Sequence, residues 1–584
     1  MNGFHRTVDF ACDSVQGDVC IVADARLDNR NELTDALSGG FRGAEETLDD
    51  TELILAAYLQ WGERCPERLL GDFAFSIWDP RNRRLFCARD PLGVRPLYYT
   101  QVGSQLRVAS DIGALLENQR IDLIAVGDYL ARITSEPERT FFEDVYRLPG
   151  GHTLIATPEG LIVRRYWDVS GLHTLPLGED EVAHRFLELL GFAVRDRLKT
   201  PGGFVGVAMS GGLDSTSVAA IAARELAQSG GNSLRAYSFV FNELKECDER
   251  AFIDALSGIL GIETSFIEAE KFWFLGDEES YVPPLETPEM SWDSAFRQML
   301  RSLKESGSRV LLTGHGADDL LLGSTLICAE RLRRGDLRVV REVWKYSRSR
   351  RYGLRPFYHL LIEPLLGAGT ASGLRRLFRR EPLRLPGWIA PEFVRRTGLA
   401  ERLAEMDRYP APGGARSEMY RHLIARPTYH RSIGWYDRHA RALGIEVRHP
   451  FLDRRLFEFV FSLPPEHLIR LGERKPVLRR ALAGILPDAV RLRRHKTSLG
   501  GFVDFSLKKE AGRIRNLLEA PLSAEFGIIN GKAAREAFDR YCAGETGLGQ
   551  RSLWYVITLE LWLRQHLDRL SGALVSLEPA REAA

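Results

Sequence analysis

The chain carries no surplus of either charge: 79 Lys and Arg stand against 79 Asp and Glu, a formal net charge of +0. Nucleic-acid binders usually show a basic excess, so the balance argues against one. No run of 18 or more apolar residues occurs, and no transmembrane helix is expected. Cysteine is scarce and scattered, seven in 584 residues and never as C-x-x-C. That excludes a disulfide scaffold or a zinc site and suits reduced thiols. The opening MNGFHRTVDFACDS lacks the charged-then-apolar pattern of a secretion signal, which favours a cytoplasmic location. There is no internal repeat and no low-complexity tract. The GxxxxGK[ST] phosphate loop is absent too, so transfer of a γ-phosphate is not the expected chemistry.

What the sequence does have is length and a change of rhythm. Up to about residue 170 it reads as short strands between turn signals: DVCIVADARL, GDFAFSIWD, RRLFCARDP, LYYTQVG, QLRVASD, HTLIAT and GLIVRRYWD. That pattern predicts a β-sandwich with a few helices, one of them Asp50–Trp61. From about 175, long helical patterns alternate with single apolar strands (FVGVAM, LRAYSFVF, RVLLTG), which predicts a doubly wound, mainly parallel sheet. The boundary falls near SGLHTLPLGED. Between Arg331 and Arg396 stand 17 Lys and Arg against 5 Asp and Glu, a solvated helical face or a docking surface for an acidic partner.

The sharpest local signal is VGVAMSGGLDSTSV at Val205–Val218. A β-branched strand stops at Ser210-Gly211-Gly212-Leu213-Asp214-Ser215-Thr216, and a small-residue helix follows through Ala222. A strand, a glycine turn and a helix N-terminus aim backbone N–H groups at one spot, which is an anion site. Gly211 and Gly212 leave room for a phosphate, Ser210, Ser215 and Thr216 add hydroxyls, and Asp214 offers a carboxylate for a metal. The string resembles the pyrophosphate-binding loop of the PP-loop ATP-pyrophosphatase ligases.

Three N-terminal stretches widen the resemblance: VADARLDNRNEL, LLGDFAFSIWDPRNRRLFCARDPLGVRPLYY and LPGGHTLIATPEGLIVRRYWD. With SGGLDST, LLTGHGADDLLLGS and GIEVRHPFLDRRLFEFVFSLP in the same order, the chain is identified as a member of the asparagine synthetase family over nearly its whole length. The resemblance implies an α/β two-domain protein. Residues 1–172 would form an incomplete glutaminase-like αββα sandwich of the Ntn-hydrolase type. Residues 180–570 would form a PP-loop synthetase domain with an Arg-rich helical insertion at about 330–430. The implied cofactors are ATP and Mg2+, and the implied chemistry is adenylation of a carboxylate with release of pyrophosphate, followed by attack of an amine. Carried over residue by residue, the 210–215 loop binds the nucleotide and Asp214 and Asp318 hold the metal. Ser238, Phe239 and Val240 lie where the adenine is gripped. Gly314 and Gly316 flank the acyl site, and Lys475 stabilises both transition states. Lys496 is a second phosphate candidate, whereas Arg474 and Arg479 read as a solvated face.

Departures from the family decide the expected reaction. Family glutaminases need a cysteine at the mature N-terminus, whose α-amine activates its own thiol. This chain begins Met1-Asn2-Gly3 and first reaches cysteine at Cys12, so glutamine hydrolysis is not expected, and Cys12 and Cys20 read as small buried residues. His315 stands where ammonia users carry glutamate and β-lactam-forming relatives carry tyrosine paired with a glutamate. Imidazole titrates in the range that suits deprotonation of a real amine. The paired position falls near Ser432, which leaves Asp437 as the nearby carboxylate to orient it. Roughly 130 residues separate TGHGADD from GIEVRHPF, more than asparagine synthetases need. These departures resemble the lasso-peptide macrolactam cyclases, which join an Asp or Glu side chain to the peptide's own N-terminal amine. The expected partners are then a precursor peptide and its leader-processing cysteine protease, with no nucleic acid and no membrane. The alternative is an asparagine-synthetase-like enzyme using ammonia or a small amine. A binding-only descendant and a tRNA-modifying relative fit less well.

Overall fold

The computed structural model describes residues 13–574, apart from 38–47, 104, 118, 135, 201–203, 230–232, 277–283, 289–292, 351, 367–383, 407–412, 427–428, 494–496 and 546–549. The N-terminal part contains β1 (Ser14–Gln16), β2 (Val19–Leu27), β3 (Gly71–Asp79), β4 (Arg84–Arg89), β5 (Tyr98–Val102), β6 (Gln105–Ala109), β7 (Val145–Arg147), β8 (His152–Thr157) and β9 (Gly160–Arg165). They form an antiparallel sheet of order β1-β2-β3-β4-β8-β9 and a smaller one of order β6-β5-β7. Helix Asp50–Trp61 starts on a capping box, Asp49 taking the Glu52 N–H while Glu52 takes the Asp49 N–H. Its Leu53, Ile54 and Ala57 pack with Ile21, Phe73 and Phe75 of β2 and β3 on the outer face of the larger sheet. Between the sheets lie Leu85, Cys87, Leu97, Leu148 and Leu154. The far side of the smaller sheet packs on helix Leu123–Ala131 and on helix Gln550–Leu574, with Tyr129 hydroxyl 2.7 Å from Thr558 Oγ1.

The second part is built on five parallel strands, β10 (Phe204–Ala208), β11 (Ser233–Val240), β12 (Glu263–Glu268), β13 (Val310–Leu312) and β14 (Glu446–Arg448). Strand residues such as Val205, Val207, Ala236, Leu311 and Leu312 are all buried, as a sheet covered on both faces requires. The order β12-β11-β10-β13-β14 reverses direction at β10, so the crevice past the ends of β10 and β13 is the switch point where open α/β sheets bind ligands. The helix after β10 runs Leu213–Ser229, longer than the small-residue pattern suggests.

A buried ionic cluster ties the two parts together. Arg197, its side chain 2% exposed, meets Asp453 at 2.8 Å, the Leu452 carbonyl at 3.1 Å, Asp72 at 3.5 Å and Asp28 at 3.6 Å. Arg26 bonds Asp28 and, at 2.7 Å, Asp72. Two expectations need correction. Cys20 is half-buried, because it sits in the second strand of the sheet beside the short edge strand β1; Cys12 lies outside the described residues. Arg479 is buried, because its guanidinium donates to the carbonyls of Arg474, Arg491 and Arg493. Arg474 is exposed. Among the described residues no helix is long and apolar enough to cross a membrane.

Candidate functional site

The two motif-bearing turns leave β10 and β13 side by side and touch. A Cβ on Gly314 would stand 2.5 Å from the Ser215 nitrogen and 2.7 Å from the Asp214 carbonyl carbon, so only glycine permits this approach. Gly316 has φ +89°, a left-handed conformation, and a Cβ there would meet Leu452 at 2.6 Å. In the SGGLDST turn, Ser215 Oγ accepts the Ser210 N–H at 3.0 Å and lies 3.0 Å from Ser210 Oγ, while Gly212 N–H reaches Ser210 Oγ at 3.2 Å. Leu213 opens the helix and packs on the main core. Thr216 departs from expectation: it is fully buried and its hydroxyl donates to the Gly212 carbonyl at 2.8 Å, so it offers nothing to a phosphate. Gly211 has a different reason for its small size than a phosphate, since a Cβ would meet Arg493 at 2.9 Å and Phe252 at 3.0 Å.

Lys475 connects the turns. Its Nζ lies 2.5 Å from Asp214 Oδ1 and 2.7 Å from Asp318 Oδ1, and the residue is 9% exposed. Its φ of +54° is rare for a side-chain-bearing residue, and Pro476 follows it, which further disfavours that backbone. Strain of this kind gathers at functional sites, and here it is held in place by two ion pairs. The two carboxylates converge on one cation, a donor set that fits Mg2+, which is commonly held by one or two carboxylates plus substrate phosphates. Among the described residues no group of three or more His, Cys, Asp or Glu forms an all-protein metal cage.

His315 projects from the β13 turn toward helix Tyr429–Arg441. Its backbone N–H reaches Thr313 Oγ1 at 3.2 Å, and its Nε2 lies 3.0 Å from Ser432 Oγ. Its ring stands 5.4 Å from those of Tyr436 and His449. Burial lowers the His315 pKa, opposed by the charges of Asp319 and Asp318, so the ring is held toward neutrality. Asp437 does not orient it. That carboxylate bonds Arg441 at 2.5 Å and lies 3.8 Å from Arg95.

Ser238 and Val240 end β11 beside the β10 turn, both buried; Ser238 Oγ donates to the Met209 carbonyl at 2.6 Å. Lys496 lies outside the described residues. Sequence reasoning missed Glu249 and Arg493. Glu249 accepts the Gly211 N–H at 3.0 Å, and Arg493 bonds both Glu249, at 2.7 Å, and the Gly211 carbonyl, at 2.9 Å. The basic run at Arg491–Lys496 was the available signal, but nothing local marks which cation turns inward. Past Asp318 and Lys475 opens a cavity of about 1110 Å3, walled by Leu321, Tyr346, Arg350 and Tyr352 among others. Tyr346 and Arg350 belong to helix Arg338–Arg350 within the Arg-rich segment, and Tyr346 meets Tyr352 edge-on at 5.8 Å.

Comparison with known proteins gives two family matches. The Asparagine synthase profile matches residues 185–564 and the Glutamine amidotransferase domain profile residues 12–167. The chain is 27% identical over 505 residues to asparagine synthetase (glutamine-hydrolyzing) 3 of Bacillus subtilis strain 168, covering 81% of this chain and 74% of that one. Asparagine synthetase (glutamine-hydrolyzing) 1 of the same organism is 24% identical over 603 residues, 94% of this chain and 86% of its own. The amidase chry2 of Gibberella zeae is 29% identical over 338 residues, 55% of this chain and 50% of its own.

Proposed function

The chain belongs to the asparagine synthase family, and from that premise we propose that it is an AMP-forming ligase that closes a macrolactam in a peptide. It is an asparagine-synthetase-like, ATP-dependent amidation ligase; the peptide substrate is the finer reading. The observation that carries it is the cavity of about 1110 Å3 beside Asp318 and Lys475. Pockets for drug-sized ligands run to roughly 300–1,000 Å3, so this one exceeds what aspartate alone needs and has room for the reacting segment of a peptide. Part of its wall comes from the Arg-rich segment that the motif spacing marks as extra.

In the first half-reaction a substrate carboxylate oxygen bonds to the α-phosphorus of ATP, and the bond to pyrophosphate breaks. Negative charge grows on the phosphate oxygens, and Lys475, fixed between Asp214 and Asp318, is a cation placed at the switch point to meet it. Mg2+, held by the same two aspartates, would neutralise phosphate charge. In the second half-reaction the amine bonds to the acyl carbon, loses a proton to His315, and AMP departs. A neutral, half-buried imidazole is the form able to take that proton.

The test is ATP–pyrophosphate exchange with two acids: free aspartate, and peptides bearing an internal Asp or Glu. Exchange with a peptide, AMP as coproduct and a peptide product lighter by one water support the reading. The relatives' names suggest instead amidation of aspartate; asparagine formed from aspartate and ammonia, with no peptide turnover, would replace it. ADP as coproduct would overturn adenylation itself.

A further inference from the structure

Ser432 sits one helical turn after Tyr429, and its hydroxyl oxygen has two close neighbours. One is the Tyr429 carbonyl at 3.0 Å, the other His315 Nε2 at 3.0 Å. A serine hydroxyl has a single proton and a carbonyl can only accept, so the proton goes to Tyr429. Toward His315 the oxygen then presents a lone pair, and the contact forms only if Nε2 carries hydrogen. The Tyr429 carbonyl also accepts from the His315 ring, which opposes loss of the ring proton.

We propose that Ser432 is a positioning residue that fixes the Nε2–H tautomer of His315, leaving Nδ1 as the nitrogen that receives the amine's proton. The inference rests on the amide-ligase reading above. A neutral imidazole has one N–H, and with both Ser432 Oγ and the Tyr429 carbonyl as acceptors we place it on Nε2, so the free lone pair lies on the opposite ring edge. His449, the nearest imidazole, is fully buried with Nδ1 2.7 Å from Thr313 Oγ1. Among the described residues, the other titratable groups around the ring include Asp318 and Asp319 on its own turn and Tyr429 and Tyr436 on the facing helix. Both tyrosines stay protonated, since burial raises each of them. As the C–N bond forms and the acyl–AMP bond breaks, Nδ1 takes the proton, and the imidazolium keeps its Nε2–H on Ser432 before discharging to solvent. A glutamate at Ser432 would hold the ring by charge and raise its pKa; a serine orients it while leaving it neutral.

The test separates the half-reactions in Ser432→Ala and Ser432→Thr. The alanine variant should slow single-turnover amide formation by about 10- to 100-fold while exchange stays within twofold, and its acid limb should shift in the pH profile. Threonine, which keeps the hydroxyl, should restore the rate. An equal loss in both half-reactions, or no rescue by threonine, overturns the assignment. The tautomer is read independently from histidine 15N shifts, His315 being identified by its loss in His315→Gln. Wild type should show an unprotonated Nδ1, and a protonated Nδ1 overturns the inference. That reading stands even if no peptide substrate is found, so failure of the tautomer and failure of the ligase reading are distinguishable.

Discussion

Replacing Lys475 by methionine removes a cation that two carboxylates share. Asp214 and Asp318 each have an oxygen within 2.7 Å of the same nitrogen, so without it they face each other across a short gap. Like charges about 5 Å apart repel by roughly 3 kcal/mol at an effective dielectric of 20. Asp318 is 54% exposed, so solvent screening leaves about 1 kcal/mol. The left-handed backbone is unchanged, because methionine pays the same strain as lysine. Stability should therefore fall only slightly, by a few degrees in Tm. The chemistry should fall much further, since a lost charge at developing phosphate charge costs about 10²–10³ in rate. Arginine should not rescue, because a planar guanidinium cannot put one nitrogen between both carboxylates. The assay is ATP–pyrophosphate exchange beside a thermal melt. Exchange above a tenth of wild type in Lys475→Met, or a melt that collapses with it, would refute the reasoning.

Gly314→Ala drives a Cβ into backbone atoms of Asp214 and Ser215, so the apparent KM for ATP should rise at least about tenfold while circular dichroism is kept. Arg197→Met leaves Asp453 and Asp72 buried with a lost partner, at a cost of about 3–5 kcal/mol; a melting temperature within two degrees of wild type would contradict this. Desolvation lowers the pKa values of the half-buried His315 and His430 and of the buried His449, so each binds its proton more readily in the unfolded chain. Stability should be full above the ordinary histidine value and fall as pH drops below it. His430→Gln should flatten that dependence in a pH series of melts. The amide-forming step should keep an acid limb displaced to lower pH than an ordinary histidine gives, and His315→Ala should lose the limb while retaining exchange.

Much of the scaffold was legible because it is written in local periodicity. The strands GDFAFSIWD and HTLIAT match β3 and β8 residue for residue, and helix Asp50–Trp61 has the expected ends. The placing of SGGLDST and TGHGADD after neighbouring strands also follows from sequence, since both motifs end apolar runs. What stayed hidden depends on direction and distance. Thr216 looks like a phosphate donor in sequence, yet a helical threonine can turn its hydroxyl back onto the preceding turn, and this one does. Arg479, in a run of basic residues, looks solvated, yet three carbonyls satisfy it inside. Ser432 and His315 are 117 residues apart, and no period records which hydroxyl meets which ring.

The clustering of Arg197 with Asp28, Asp72 and Asp453 has a consequence for any attempt to divide the chain. The ligase half cannot simply be cut free of its front half. Excision at the linker would strip a sunken guanidinium of two of its three counterions and expose the rest to water. The N-terminal layer thus completes the charge balance inside the parallel-sheet half, and the two are expected to fold as partners.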